Sequence, residues 1–257
     1  MSSGDNGHSG GKSDVVVIAR SPMLSLSTLR YAAKLTLSTP TRTVAAMTRS
    51  QSPARKPPRP YHHGDLRRAL LQEALAMIHA EGVESLTLRE IGARVGVSRR
   101  AQNRHFADKA ALLEAVATEG FRSFREQLLA AWQAGGHGTA GLDAMGLAYV
   151  RFAVANPAHY RVMFGGFVEP KDGHSELATE AAGALQALEG ALGALQRDGL
   201  VRSDDTVTMA RFVWAVVHGV AMFAIDGQLP DPAVVDQLAR YAIERMRIGI
   251  GAGTKPG

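Results

Sequence analysis

The chain has 257 residues, of which 46% are hydrophobic and 21% charged, a composition typical of a globular protein with a sizeable core. It contains no cysteine, which excludes a disulfide framework, a thiolate metal site, an iron–sulfur cluster and a cysteine nucleophile. The net charge of +5 is uneven: residues 1–50 carry +4, residues 51–110 carry +5 and residues 111–257 carry −4, which favours a polyanionic partner at one end over a merely solvated surface.

Residues 1–59 are predicted to form a disordered, basic N-terminal extension. Residues 1–46 are rich in Ser, Thr and Gly without sustained periodicity, and four prolines exclude a helix between residues 50 and 60. We expect translation to start at Met47, which would make the first 46 residues an over-extended start. An organellar transit peptide is the alternative.

Four helices are predicted next. Apolar residues recur at spacings of three and four between Asp65 and Ala80, and Gly82 ends this first helix. A short helix over 87–94 follows, and Gly96 breaks the chain after it. Ser98 begins a third helix that ends near Phe106, and Asp108 caps a longer fourth helix.

The remainder of the chain also shows helical periodicity, with Gly and Pro breaks between its segments. The predicted helices span 140–155, 157–165, 174–198, 204–226 and 232–248, and no alternating run indicates a strand. The apolar run 212–225 would reach about 21 Å, short of the roughly 30 Å of a bilayer core, so a buried or interface helix and no membrane partner are expected. The fold class is therefore all-α.

The segment Leu86–Phe106 has the elements of a helix-turn-helix, namely two short helices around a glycine turn. Ala93 is expected to let the helices cross closely, and Ile91 and Val97 to fill their shared core. The second helix then presents a polar outer face that suits the DNA major groove, formed by Ser98, Arg99, Arg100, Gln102, Asn103, Arg104 and His105. A solvated helix in a plain bundle is the alternative.

Residues 60–120 resemble the TetR family of bacterial regulators, in PYHHGDLRRALLQEALAMIHAEG and LTLREIGARVGVSRRAQNRHFADKAALLEAV. The resemblance implies a three-helix DNA-binding domain over 60–108. It implies phosphate contacts from Thr87, His105 and Lys109, and groove-facing positions for four residues of the recognition helix: Ser98, Arg99, Arg100 and Ala101.

Two residues depart from the pattern of the family. Asn103 replaces a usual aromatic residue, and Gln102 stands where a subgroup often has Pro. Both amides are able to read adenine, so an altered operator is expected. The alternative is a degenerate ligand-binding or interaction protein with weakened DNA binding.

Two segments, YVRFAVANPAHYRVMFGG (149–166) and FVWAVVHGVAMFAIDGQL (212–229), are similar to a TetR subgroup with a Trp-His-Gly signature, here Trp214, His218 and Gly219. The resemblance implies a helical effector-binding and dimerisation domain over residues 109–249. Helices 174–198 and 204–226 are expected to form either a four-helix interface with the same two helices of a second copy or part of the intramolecular core. A pocket for a hydrophobic effector is expected among Trp132, Phe152, Tyr160, Met163, Phe164, Trp214, His218, Met222 and Phe223, although plain core is the simpler reading of most of them. Residues 250–257 are predicted to be a flexible tail.

The expected function is a ligand-responsive repressor that binds a palindromic operator as a homodimer. Catalytic signatures such as G-x-S-x-G, H-E-x-x-H and the P-loop are absent from the sequence, so no enzyme and no cofactor are expected. His62, His63 and His159 lack partners at ligand spacing, so no metal site is expected. The expected location is the bacterial cytoplasm, on the nucleoid.

Overall fold

The computed structural model describes residues 63–169, 175–229 and 231–252, and the predicted extension over residues 1–59 lies outside these ranges. Within them the chain is helical, with one isolated antiparallel bridge between Val201 and Gly251. The helices are α1 (His63–Glu81), α2 (Leu88–Val95), α3 (Arg99–Asn103), α4 (Lys109–Ala134), α5 (Thr139–Ala155), α6 (Pro157–Phe164), α7 (Glu176–Arg197), α8 (Thr206–Ile225) and α9 (Pro232–Ile250). The all-α prediction is confirmed.

Short polar side chains begin most of these helices by capping free backbone N–H groups. Asp108 accepts from the N–H of Ala111 at 2.8 Å, and Asp205 accepts from that of Thr208 at 2.8 Å. Gly82, with a φ of +87°, follows the end of α1. These signals explain why most predicted bounds lie within two residues of the observed ones.

Two predicted bounds need correction. The third helix ends at Asn103 rather than near Phe106, because the N–H of His105 bonds to the carbonyl of Gln102 three residues earlier and tightens the chain into a turn. The predicted flexible tail starts too early, since α9 continues through Ile250, which is buried, and Gly251 bridges to Val201.

Helices α1 to α3 form a small head around an apolar core that includes Leu70, Met77, Ile91 and Phe106. The expected role of Ala93 in the helix crossing is wrong, because its side chain is exposed. The neighbouring Gly92 is buried and makes the close approach instead. A helix crossing tolerates only a small residue at the point of contact, and here that residue is glycine.

Helix α4 runs from the head into the helical body, where it packs along α5, α6 and α7, while α8 packs on α5, α7 and α9. A Cβ on Gly120 would lie 2.6 Å from the Sδ of Met163, so α4 and α6 approach closely at that point. Two arginines of α4 reach α7: Arg122 Nε lies 3.1 Å from Glu180 Oε1, and Arg125 lies 3.0 Å from Glu180 Oε2. Apolar packing and ion pairs therefore both tie α4 to the body.

Helix α8 is the one helix of the described ranges that is long and apolar enough to span a membrane, judged by length and composition alone. Its apolar window has a mean hydropathy of 1.6, and 39% of that window is buried inside the fold. Buried residues such as Met209, Val213 and Val217 place one side of α8 in the protein core. A core helix needs this composition, so the finding is weak evidence for a membrane span.

Candidate nucleic-acid interface

Three residues mark the start of α2, the tight turn after it and the start of α3. Thr87 begins α2, with its hydroxyl accepting from the N–H of Glu90 at 3.3 Å. Gly96 adopts a left-handed φ of +80° and ends α2, and Ser98 then caps α3 by accepting from the N–H of Ala101. The predicted helix-turn-helix is confirmed by this arrangement of helix, glycine turn and helix.

The outer face of α3 consists of exposed Arg99, Arg100 and Asn103, continued by Arg104 just beyond the helix. These four side chains line one open depression on the surface. Three guanidinium groups beside a carboxamide combine positive charge for phosphates with donors and acceptors for base edges. We call this set of four residues the α3 outer face.

The residues predicted to contact phosphate differ in their exposure and in their contacts. Thr87 is exposed at the start of α2, and His105 is partly buried just after α3. Lys109, at the start of α4, donates from Nζ to the carbonyl of Glu84 at 3.1 Å. That hydrogen bond holds the ammonium group at the junction between the head and α4.

Two predicted members of the outer face point elsewhere. Gln102 is 2% exposed, and its Nε2 donates to the carbonyl of Leu88 inside the head. The expectation that it leaves the helix surface to read a base is therefore wrong. Ala101 is partly buried against the apolar core, so it contributes little to a groove-facing surface.

Helix α2 is fastened to α1 by Arg94, a contact that sequence reasoning missed. Its guanidinium lies 2.7 Å from both Glu81 and Glu90 and 3.6 Å from Glu73. Hydrogen bonds to Glu81 and then Glu90 raise the pKa of Arg94 above its usual range. The spacing of Glu90 and Arg94 at i and i+4 was the available signal. Arg94 is thus paired with three carboxylates and is not one of the arginines of the α3 outer face.

The helical body contains a polar centre among aromatic rings. The hydroxyl groups of Tyr149 and Tyr160 lie 2.8 Å apart, and they lie 2.9 Å and 2.6 Å from Nδ1 of His218. Trp214 donates from Nε1 to the Tyr149 hydroxyl at 2.8 Å. We call these four side chains the Tyr–His cluster.

Burial keeps the Tyr–His cluster neutral. It raises the pKa of Tyr149 and Tyr160 and lowers the pKa of His218 to about 4. Nδ1 of the neutral His218 therefore shares hydrogen bonds with both tyrosine hydroxyls. The cluster thus offers hydrogen bonds without charge.

The predicted pocket residues divide into three groups. Tyr160, Trp214 and His218 belong to the Tyr–His cluster, and Phe152 and Phe164 lie in the same set of packed rings through Phe124. Met163 packs over Gly120, and Met222 is partly buried against the core. The two outliers are Trp132, whose ring packs on His137 and beside Gly141, and Phe223, which is 55% exposed. The prediction that Phe223 lines an interior pocket is wrong.

Comparisons with known proteins agree with this arrangement. Residues 70–116 match the family of bacterial regulatory proteins called the tetR family, and residues 142–246 match a tetracyclin repressor-like C-terminal domain. No curated protein matches the chain.

Solved structures extend the comparison. A protein of unknown function from Rhodococcus sp. RHA1 is 32% identical, with a TM-score of 0.66 over 75% of this chain and 98% of its own. A tetR-family regulatory protein from Rhodococcus RHA1 is 21% identical, with a TM-score of 0.56 over 73% and 98% of the two chains. SmeT in complex with triclosan is 22% identical, with a TM-score of 0.51 over 74% and 92%.

A three-helix head with an exposed cationic recognition helix, joined to an all-helical body, defines a DNA-binding transcriptional regulator. The chain belongs to the TetR family, which its N-terminal and C-terminal matches both show.

Proposed function

We propose that the chain is a repressor that binds a palindromic operator as a homodimer and responds to a hydrophobic effector. The observation that carries the proposal is the α3 outer face, where Arg99, Arg100, Asn103 and Arg104 lie together on an open surface. The arginines suit guanine edges and phosphates, and Asn103 suits adenine. Thr87, His105 and Lys109 are assigned contacts to the phosphate backbone, and Ser98 is assigned a groove-facing position at the start of α3.

Dimerisation is proposed through α7 and α8. Phe212 and Phe223 are 49% and 55% exposed, and their separation of eleven residues places them on one side of α8. Between them Ala215 and Gly219 are also exposed, so two aromatic rings flank a strip of small residues. Such a surface suits close packing against a second copy, and a two-fold dimer presents two recognition helices about 34–36 Å apart.

The effector is proposed to act at the aromatic interior around the Tyr–His cluster. The side chains packed there combine neutral hydrogen-bonding groups with aromatic rings, a combination that suits an apolar molecule with few polar groups. The triclosan complex of SmeT is a bound example of such a molecule on the same fold. Effector binding would shift operator affinity by a coupling free energy of about 1–3 kcal/mol.

The proposal assigns the chain no catalytic role and no cofactor, and it places the protein on the nucleoid in the cytoplasm, where its DNA partner is found. Charge supports this assignment, since residues 51–110 carry eleven basic and six acidic side chains. A basic N-terminal region joined to an acidic C-terminal region favours a polyanion at the N-terminal side.

The test is selection of binding sites from a random duplex library, followed by affinity measurements on the selected duplex. The wild-type protein should enrich an inverted repeat, and Arg100→Ala should bind it about tenfold or more weakly with an unchanged Tm, because this side chain is exposed. Arg197→Ala removes the same charge from the exposed end of α7 and should bind like the wild type. An equal loss of affinity and Tm in Arg100→Ala would show that the arginine is structural.

Failure of the wild-type protein to enrich any sequence would contradict operator binding. If that protein still formed dimers, the degenerate ligand-binding alternative would be the better description.

A further inference from the structure

Gln102 is a buried polar residue at the contact between α3 and α2. Its Nε2 donates to the carbonyl of Leu88, the first residue of α2, and its side chain is 2% exposed. A buried amide needs such a partner, and this one connects the recognition helix to the helix on which it rests. The hydrogen bond therefore crosses the interface that sets the orientation of α3.

Gly92 provides the space that this hydrogen bond requires. A Cβ placed on Gly92 would lie 2.5 Å from Gln102 Oε1 and 3.2 Å from its Cδ. Gly92 stands one helical turn after Leu88, so any side chain there would push the amide off the Leu88 carbonyl. Glycine within a helix is less stable than alanine, which makes this residue unfavourable in α2 unless the amide uses the space.

Gln102 is the one buried residue of α3, and Ala101 is partly buried against the apolar core. The helix has only five residues, and each residue advances the helix by 100°. With Gln102 held inward, the next residue, Asn103, faces outward together with Arg99. A rotation by a fraction of a turn would re-aim both side chains while leaving the arginines on the surface.

We propose that Gln102 and Gly92 form a lock that sets the rotation of α3, which makes Gln102 a positioning residue for sequence discrimination without contacting DNA. This inference rests on the proposed role of the α3 outer face in operator recognition. It predicts that the two residues are coupled in stability, and that loss of the lock weakens discrimination between sequences more than general affinity for DNA.

The first experiment measures the coupling without DNA, by thermal unfolding of four proteins: the wild type, Gly92→Ala, Gln102→Leu and the double variant. Gly92→Ala should lower the Tm of the wild type because the new Cβ collides with the amide. In the Gln102→Leu protein the same change should raise the Tm, because only the greater helix propensity of alanine remains. Gly249→Ala, which meets open space in α9, should have the same effect in both backgrounds. A shift of the same sign and size for Gly92→Ala in both backgrounds would overturn the lock.

The second experiment compares affinity for a duplex selected by the wild type with affinity for a scrambled duplex at one salt concentration. Gln102→Leu and Gly92→Ala should each reduce this ratio at least tenfold, with binding to the scrambled duplex within twofold of the wild type. Gln133→Leu removes an exposed amide from α4 and should keep the wild-type ratio. An unchanged ratio in Gln102→Leu, whatever its Tm, would overturn the positioning role.

The two experiments test different claims: the first tests the coupling of Gly92 and Gln102 in stability, and the second tests their effect on sequence discrimination. If the wild type selects no sequence, operator recognition and the positioning role are both refuted, and the thermal cycle alone decides whether the lock exists.

Discussion

Single residues in the body differ sharply in how they respond to pH, and His218 is the clearest case. Burial lowers its pKa to about 4, against about 6.5 in an unfolded chain. As the pH falls below about 6.5, His218 becomes protonated in the unfolded chain but stays neutral in the folded protein. Stability is therefore retained above about pH 6.5 and lost towards pH 4, by about 1.4 kcal/mol per pH unit.

We predict that His218→Asn flattens this dependence, because the Asn amide also hydrogen-bonds to tyrosine hydroxyls but does not titrate. The measurement is Tm between pH 7.5 and pH 4.5, where the wild type should lose more than the variant. His159 keeps part of the slope in both proteins, since burial lowers its pKa too. The exposed His79→Asn serves as the control and should follow the wild type. Parallel curves for wild type and His218→Asn would contradict the assignment.

Residue positions on α3 were the least predictable part of the interface from sequence. Arg99, Arg100 and Asn103 lie on the exposed side as expected, whereas Gln102 lies inside. A helix of five residues is too short for its periodicity to reveal which side faces the core. A polar amide also gives no sequence signal of burial, because its partner is a backbone carbonyl fourteen residues earlier. The contact between Gly92 and Gln102 is visible only in the structure.

At the scale of elements, helix bounds were predictable because capping residues, Gly and Pro mark them chemically. Asp108, Ser98 and Asp231 each accept a backbone hydrogen bond at the start of a helix. The contacts between helices were not predictable in the same way. The ion pairs of Arg122 and Arg125 with Glu180 join residues more than fifty positions apart, and no local pattern encodes such a distance.

These ion pairs give an element-scale prediction about the attachment of α4 to α7. Glu180→Gln should destabilise the protein by about 1–3 kcal/mol, because the Glu180 side chain is only 11% exposed, Arg125 loses its ion pair with it, and Arg122 keeps only Glu176. The arginines are 40% and 36% exposed, which limits the effect through solvent screening. Chemical denaturation measures the difference.

Glu176→Gln is a matched control on the same helix. Glu176 also pairs with Arg122 but its side chain is 72% exposed, so its loss should cost less than about 0.5 kcal/mol. Equal effects of the two substitutions would show that burial of Glu180 does not strengthen the link.

At the scale of the whole molecule, the sequence left open whether α7 and α8 form an intramolecular core or a dimer interface. The coordinates show that both helices supply core residues, such as Leu192 and Val217, while α8 also exposes Phe212 and Phe223. Periodicity identifies an apolar helix but does not assign each of its sides to its own chain or to a partner. That assignment depends on which sides the other helices cover.

We predict that Phe223→Glu converts the proposed dimer into a monomer with unchanged helicity, because a carboxylate at an apolar interface is buried without a partner. Sedimentation velocity measures the assembly, and circular dichroism measures the fold. Tyr241→Glu places the same charge at a 58% exposed aromatic position on α9 and should remain dimeric. Monomers from Tyr241→Glu and dimers from Phe223→Glu would move the interface to α9.

The unbroken course of α4 has a consequence for building chimaeras. Its 26 residues make a rod of about 39 Å, and the N-terminal family match ends at residue 116, inside this rod. A junction that joins another head to this body must therefore preserve the number of residues in α4, so that the helix keeps its register. Removing one residue from α4 would turn the grafted head by about 100° and draw it in by about 1.5 Å, so a single miscounted position would leave two intact halves facing the wrong way.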